Sequence, residues 1–170
     1  PISFEVFSDD FENMKKEAEI ISSLSENIFV KIPITNTKGN FSGPLIKELS
    51  DNGIKLNITA IFTEDQCIEL KKYINQDVLN IISLFCGRIA DTGRNPEIIC
   101  KKAKTIFTSP KSKILWASTR ELYNLSQAIN TNCDIITIPA NIIKKFDNIN
   151  KDLKLFSRET VSMFYNDAKE

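Results

Sequence analysis

Short apolar segments alternate with amphipathic segments along almost the whole chain. Each apolar segment has the length and composition of a β-strand, and the segments between them repeat apolar residues at helical spacing. Strands that alternate with helices are typical of a parallel sheet covered by helices. We predict six strands, over Ile2–Phe7, Ile28–Thr35, Ile54–Ile61, Val78–Phe85, Lys113–Ala117 and Asp134–Ile138.

Capping residues mark the start of several predicted helices. Thr63 and Gln66 have the spacing of a capping box, in which each side chain bonds to a backbone N–H of the other residue. Asn95 followed by Pro96 is typical of an N-cap and the first helical residue. Seven helices are predicted. The first two cover Phe11–Ile21 and Gly39–Asn52, and the next two begin near Thr63 and Asn95. The last three cover Glu121–Asn130, cover Asn141–Phe146 and begin at Ser157.

Two architectures fit this alternation, an open doubly wound sheet and part of a (β/α)8 barrel. Nucleotide-binding open sheets usually carry a glycine-rich phosphate loop, and the five glycines form no such motif. Polar residues fall at the ends of successive strands, where barrels place their active sites. We therefore predict the α/β fold of the (β/α)8 TIM-barrel family, present as six strand–helix units plus a C-terminal helix. One partial barrel domain over 1–170 is expected, with barrel units to about 147 and the helix over 154–170.

Composition and charge exclude several classes of function. Basic and acidic residues both number 22, so no basic surface predicts nucleic-acid binding. No apolar run approaches the length of a membrane span. The chain has no histidine, which removes Ser-His-Asp triads, Cys-His nucleophiles and histidine-bound metals. Four cysteines without metal-site or disulfide-scaffold spacing predict reduced thiols and a cytoplasmic location.

Lys31 is the one charged residue in the second predicted strand, where Val30 and Ile32 flank it. A lysine buried without a partner is rare, because its charge is expensive to desolvate, and it tends to lose its proton. A neutral amine at the end of a strand is what Schiff-base chemistry on a carbonyl requires. The alternative is a lysine at a strand edge, whose stem covers apolar surface while its head reaches water.

Six segments carry a resemblance to the transaldolase family, which also contains the fructose-6-phosphate aldolases. They follow the order and spacing of that family from Ile2 to about Phe146. The resemblance implies a barrel enzyme that acts on sugar phosphates without a metal or organic cofactor. The segments are FEV, VKIPIT, GIKLNITAIFTEDQ, ISLFCGRIAD, ILWASTR and IITIPA.

The resemblance implies catalytic roles for Lys31, Glu5 and Thr59 and a substrate-binding role for Asn57. Lys31 matches the Schiff-base lysine, whose neutral amine attacks the carbonyl of a ketose. Glu5 matches a glutamate that handles protons through a bound water, and the alternative is a simple ion pair between Glu5 and Lys31. Asn57 and Thr59 share one strand face and match positions that bind substrate hydroxyls and hold the catalytic water. A structural hydrogen bond is the alternative for Asn57.

Further matches imply substrate contacts at the next strand. Ser83 matches a serine that contacts the dihydroxyacetone portion of the substrate. Phe85 matches the transaldolase phenylalanine, at a position where the aldolases carry a proton-donating tyrosine. A phenylalanine there shields the Schiff base and favours passing the carbon unit to a second sugar. The alternative for Phe85 is an ordinary core aromatic.

Two arginines are the implied phosphate ligands. Arg88 and Arg120 match family arginines, and guanidinium groups suit phosphate because they give paired, charge-assisted donors. Ser118 matches a further serine of the site. The structural alternatives are a salt bridge from Arg88 to Asp91, a solvated helix position for Arg120, and a capping box over Ser118–Glu121.

The implied function is transfer of a dihydroxyacetone unit from a ketose phosphate, such as fructose 6-phosphate, to an aldose phosphate. The alternatives are C–C bond cleavage as in fructose-6-phosphate aldolases and a non-catalytic or truncated sugar-phosphate-binding remnant. The remnant stays open because two strand–helix units that precede Glu5 in the family, with an aspartate and an asparagine of the site, are absent. The chain is then part of a longer protein, a fragment with unpaired sheet edges, or a remnant paired by another chain, which keeps a homo-oligomer among the expected partners.

Overall fold

A computed structural model describes residues 1–169 of the chain, in which six parallel strands form one sheet. Neighbouring strands in the sheet are consecutive in sequence. This order is that of a (β/α)8 barrel, whereas an open doubly wound sheet reverses its strand order. The predicted fold class is confirmed as a six-stranded part of such a barrel. The strands are β1 Ile2–Glu5, β2 Ile28–Pro33, β3 Leu56–Ile61, β4 Asn80–Leu84, β5 Ser112–Trp116 and β6 Ile135–Ile136.

Helices follow each of the six strands, and those within residues 1–138 pack against one face of the sheet. The third helix begins at the predicted capping box, in which Thr63 Oγ1 accepts from the Gln66 N–H and the Gln66 side chain accepts from the Thr63 N–H. The helices are α1 Phe11–Ser23, α2 Gly43–Asp51, α3 Glu64–Lys71, α4 Cys86–Ala90, α5 Glu97–Ile106, α6 Tyr123–Asn130, α7 Ala140–Ile143 and α8 Leu153–Asp167.

The second and fourth helices differ from the prediction for local reasons. α2 begins at Gly43 rather than Gly39, because the chain first makes a turn closed by an isolated bridge between Thr35 and Phe41. The sequence does not predict α4, since its five residues are too few to show a helical period.

The two faces of the sheet pack differently, because successive strand residues point to opposite faces. One face joins the helices in a large apolar core. We call this the helix face, and its fully buried strand residues are Val30, Ile32, Leu56, Ile58, Ile61, Ile82, Leu84, Ile114 and Trp116. The other face, which we call the site face, holds a second and much smaller apolar cluster of Phe29, Ile81, Leu115 and Ala117.

Packing divides the chain into two compact units, of which the first is Pro1–Ile138 and contains every strand listed above. The second unit contains α7, a 3₁₀ turn over Phe146–Asn148 and α8. α8 begins at Leu153 rather than Ser157, because the Asp152 carboxylate caps it by accepting a backbone N–H of the first turn.

The four cysteines carry free thiols, of which Cys133 alone is partly exposed. Burial raises the pKa of the Cys67 thiol to about 12, so this thiol stays protonated and unreactive near neutral pH. Within residues 1–169 no three acidic or cysteine side chains are grouped to hold a metal ion. The same residues include no helix with the length and apolar character that a membrane span needs.

Candidate functional site

A row of polar side chains crosses four adjacent strands on the site face. The strand register places Glu5 of β1 beside Lys31 of β2, and Lys31 beside Asn57 of β3. On β4, Ser83 stands two residues after Ile81 and therefore shares its face. Side chains from four separate segments of the sequence thus lie along one surface.

Lys31 and Glu5 form an ion pair at one end of this row. Lys31 Nζ lies 3.1 Å from Glu5 Oε2, and the two side chains are 29% and 48% exposed. Of the two alternatives left open for Lys31, the structure therefore shows the lysine whose head reaches solvent, and that head also reaches the Glu5 carboxylate. A pair this exposed contributes only about 0–1 kcal/mol to stability. What the pair does provide is an amine with a proton acceptor beside it.

Asn57 joins three strands through its side-chain amide. Asn57 Nδ2 donates to Ser3 Oγ at 3.0 Å, and Ser83 Oγ donates to Asn57 Oδ1 at 2.7 Å. These bonds satisfy the amide of a buried asparagine, as the structural alternative for Asn57 states. Ser3 was not among the predicted site residues, although its position two residues before Glu5 puts both side chains on the site face.

The hydroxyl of Thr59 has no such partner. The side chain is 2% exposed, and its Oγ1 makes no hydrogen bond to the described part of the protein. Its neighbour across the strand pair is Pro33, which has no N–H to offer. A buried hydroxyl without a partner costs free energy, so this one is available to a water molecule or a ligand oxygen.

Phe85 and Arg88 lie together in the segment that follows β4. The Arg88 guanidinium carbon is 5.1 Å from the centre of the Phe85 ring, and that ring packs at 5.5 Å from the ring of Phe62. Asp91, the alternative partner predicted for Arg88, instead pairs with Arg120 at 2.9 Å between Oδ2 and Nη2. The alternative of an Arg88–Asp91 salt bridge is therefore wrong.

Arg120 lies in the loop before α6 rather than in a helix. α6 begins at Tyr123 without a side-chain cap, so the alternative of a capping box over Ser118–Glu121 is wrong. Two backbone N–H groups before the helix instead bond to a side chain within it. Asn124 Oδ1 accepts from the Arg120 N–H at 2.9 Å and from the Glu121 N–H at 3.2 Å. The Arg120 side chain is exposed and held by its ion pair.

A close backbone approach brings the two arginine-bearing segments together. Ser118 has a φ of 65°, and its carbonyl oxygen would lie 1.6 Å from a Cβ added at Gly87. A side chain at this position is therefore impossible without displacing backbone. The contact joins the segment of Arg88 to that of Arg120.

Two carboxylates that the sequence analysis did not single out hold the loops after β1 and β2. Glu17 accepts from Ser8 Oγ and from the N–H groups of Ser8 and Phe7, and Asp9 accepts from the N–H and Oγ1 of Thr37, both at 2.7 Å. Hydrogen bonds from Ser8 and Phe7 lower the pKa of Glu17, and those from Thr37 lower the pKa of Asp9. These loops follow the strand ends that carry the Glu5–Lys31 pair.

Comparison with known proteins identifies the family to which this sequence is similar. The sequence profile described as Transaldolase/Fructose-6-phosphate aldolase matches residues 1–170. A probable transaldolase of Carboxydothermus hydrogenoformans is 36% identical over 146 residues, which cover 84% of this chain and 64% of that protein. A probable transaldolase of Bartonella henselae is 33% identical over 147 residues, covering 85% of this chain and 63% of that protein.

A third relative extends the comparison. A probable transaldolase of Methanococcus maripaludis is 31% identical over 150 residues, which cover 87% of this chain and 66% of that protein. The chain thus spans 63–66% of the length of these relatives. The resemblance carried by the six segments is confirmed, and the chain belongs to the transaldolase/fructose-6-phosphate aldolase family.

Proposed function

We propose that this protein transfers a dihydroxyacetone unit from a ketose phosphate to an aldose phosphate through a Schiff base on Lys31. The observation that carries the proposal is the Lys31 amine 3.1 Å from the Glu5 carboxylate, at the end of a row that continues to Asn57 and Ser83. An amine, an adjacent acid–base group and hydroxyl-binding groups are what carbonyl chemistry on a sugar needs. The names of the relatives, probable transaldolases, support the same reaction class.

In the first step the uncharged Lys31 amine attacks the ketone carbon and a C–N bond forms. The carbonyl oxygen takes one proton from the attacking nitrogen to give a carbinolamine, takes a second proton and leaves as water, so that an iminium remains. Glu5 is close enough to exchange protons with Lys31 or with a bound water during these steps. The C–C bond one carbon beyond the iminium carbon then breaks, its electron pair passes to the iminium to give an enamine, and the departing aldehyde forms as its hydroxyl loses a proton to water. The dihydroxyacetone unit remains on Lys31 as an enamine until it attacks the acceptor aldehyde.

Four side chains are assigned to the sugar and to the catalytic water in this proposal. Thr59 offers its unpartnered hydroxyl to the catalytic water. Asn57 and Ser83 bond to one another and keep further hydrogen-bonding capacity for substrate hydroxyls. Ser118 reaches the same edge of the sheet from the loop after β5.

The remaining assignments concern the phosphate and the fate of the enamine. Arg88 and Arg120 are the phosphate ligands, on segments joined at Gly87. Phe85 lies beside Arg88 and has no hydroxyl with which to protonate the enamine. This favours transfer to an acceptor over release of free dihydroxyacetone, which is the second candidate function.

Trapping with borohydride tests the proposal directly. Incubation with fructose 6-phosphate followed by reduction should attach a three-carbon unit to Lys31, located by peptide mass spectrometry. Lys31→Arg keeps the charge but loses the nucleophile and should abolish the adduct. The matched control is Lys113→Arg on β5, which should label like the wild type. A folded protein that binds the sugar and gives no Lys31 adduct contradicts the proposal.

An acceptor separates transfer from cleavage. After erythrose 4-phosphate is added, a transferase forms a new seven-carbon ketose phosphate without free dihydroxyacetone. An adduct on Lys31 that releases dihydroxyacetone and forms no new ketose would instead assign the lyase function.

A further inference from the structure

The third strand contains an irregularity at the level of the candidate site. Between its paired residues Ile58 and Ile61, β3 has two residues, Thr59 and Ala60, where β4 has only Ser83. Two residues opposite one define a β-bulge. Bulges bend a strand locally and change the direction in which its side chains point.

The backbone of Ala60 adopts the left-handed conformation, with φ of 59°. A residue with a Cβ is strained in this conformation, and such strain persists only where the surrounding structure imposes it. Among residues 1–169 three other non-glycine residues have a positive φ, and none of them lies within a strand. They are Ser118, Asn132 and Asn150.

The bulge changes which residues reach each face of the sheet. Ile58 and Ile61 are both completely buried in the core of the helix face, although three positions separate them. In a regular strand Ile61 would share the face of Asn57 and Thr59. The extra residue therefore keeps an isoleucine away from the site face and leaves Thr59 there with a buried, unpartnered hydroxyl.

We propose that Ala60 is a positioning residue whose left-handed bulge aims the Thr59 hydroxyl at the reacting oxygen of the Schiff-base step. This inference rests on the proposed function. In that step the amine nitrogen forms a C=N bond as the carbinolamine C–O bond breaks, and the oxygen leaves as water after taking a proton. Thr59 Oγ1 hydrogen-bonds to this oxygen, or to the water that brings the proton. Ala60 acts only through the placement of Thr59.

The test measures the rate of borohydride trapping at Lys31 with dihydroxyacetone as the ketone. Ala60→Val should lower this rate about 10-fold or more, because a β-branched residue resists positive φ and a small displacement of a catalytic group is costly. Ala60→Gly tolerates the bulge and should retain the wild-type rate with a slightly higher melting temperature. The matched control Asn132→Val strains another left-handed residue, in the turn after α6, and should leave trapping unchanged.

A double variant distinguishes positioning from general damage. If Ala60 acts through Thr59, Ala60→Val should cause no further loss of rate in a Thr59→Val background. Independent losses that multiply would overturn the inference. Should Ala60→Val fail to fold, Ala60→Asn and Ala60→Thr replace it, since only asparagine tolerates positive φ well. Equal trapping in that pair would also overturn the inference.

The wild type separates the two proposals. A wild-type protein that forms no Lys31 adduct overturns the proposed function together with this inference. A wild-type adduct that forms at the same rate in every Ala60 variant overturns only the role of Ala60.

Discussion

The helix face and the site face are built from alternate residues of the same strands, yet their chemistry differs. Ile82 on the helix face is completely buried in a large apolar core, whereas its neighbour Ile81 belongs to a cluster of four buried residues. The site face also carries the polar row that begins with the Glu5–Lys31 pair. Since burial of apolar surface contributes far more than exposed ion pairs do, the helix face supplies most of the stability. The site face can therefore hold polar groups that add little to it.

The largest expected change in the free energy of unfolding comes from replacing an isoleucine of the helix face with alanine, compared with the same replacement at the adjacent residue on the site face. Ile82→Ala leaves a cavity in the core of the helix face and should lower the free energy of unfolding by about 2–5 kcal/mol. Ile81→Ala opens the smaller cluster, where neighbours can relax and water can enter, and should cost about half as much. Urea denaturation followed by circular dichroism measures both. Equal losses would mean that the site face contributes as much to stability as the helix face does.

A smaller loss of unfolding free energy is expected from substitutions within the polar row of the site face. Asn57→Ala removes the amide that bonds to Ser3 and Ser83 and leaves the buried Ser83 hydroxyl without its acceptor. The expected loss in unfolding free energy is about 1–3 kcal/mol. Ser3→Ala is the control, because it removes one bond at the more exposed end and should cost about 1 kcal/mol or less. An Asn57→Ala variant as stable as the wild type would show that the row has no structural role.

The smallest expected effect is on the pH dependence of the melting temperature, and it comes from the loops at the end of the site face. The pKa of Glu17 is lowered in the folded protein by its bonds to Ser8 and Phe7. The stability from these bonds is therefore complete above the unfolded pKa, about 4.3, and is lost as the pH falls through the folded value. Glu17→Gln should flatten the fall in melting temperature between about pH 5 and pH 3.

The exposed Glu19 on the same helix provides the control for this prediction. Glu19→Gln should leave the pH profile of the melting temperature close to that of the wild type. Identical profiles for Glu17→Gln and the wild type would show that the Glu17 bonds do not stabilise the fold.

Much of the fold and some of the site could be predicted from local patterns. The capping box at Thr63 forms as its spacing predicts, since both partners lie within one helical turn. Asn57 and Thr59 share a face because they stand two residues apart in one strand. The capping box over Ser118–Glu121, which was the structural alternative for Ser118, does not form, because the close contact at Gly87 holds that loop in a different conformation.

The sequence by itself determined the alternation of strands and helices, the fold class, the family and the positions of the polar strand residues, because periodicity and motif order are properties of contiguous segments. Only the tertiary structure decided which groups meet. In the folded chain Lys31 pairs with Glu5, Asp91 forms its ion pair with Arg120 rather than with Arg88, and β3 contains a bulge at Ala60. These partners come from separate strands and loops, and their contacts depend on strand register and backbone approach, which no local pattern records.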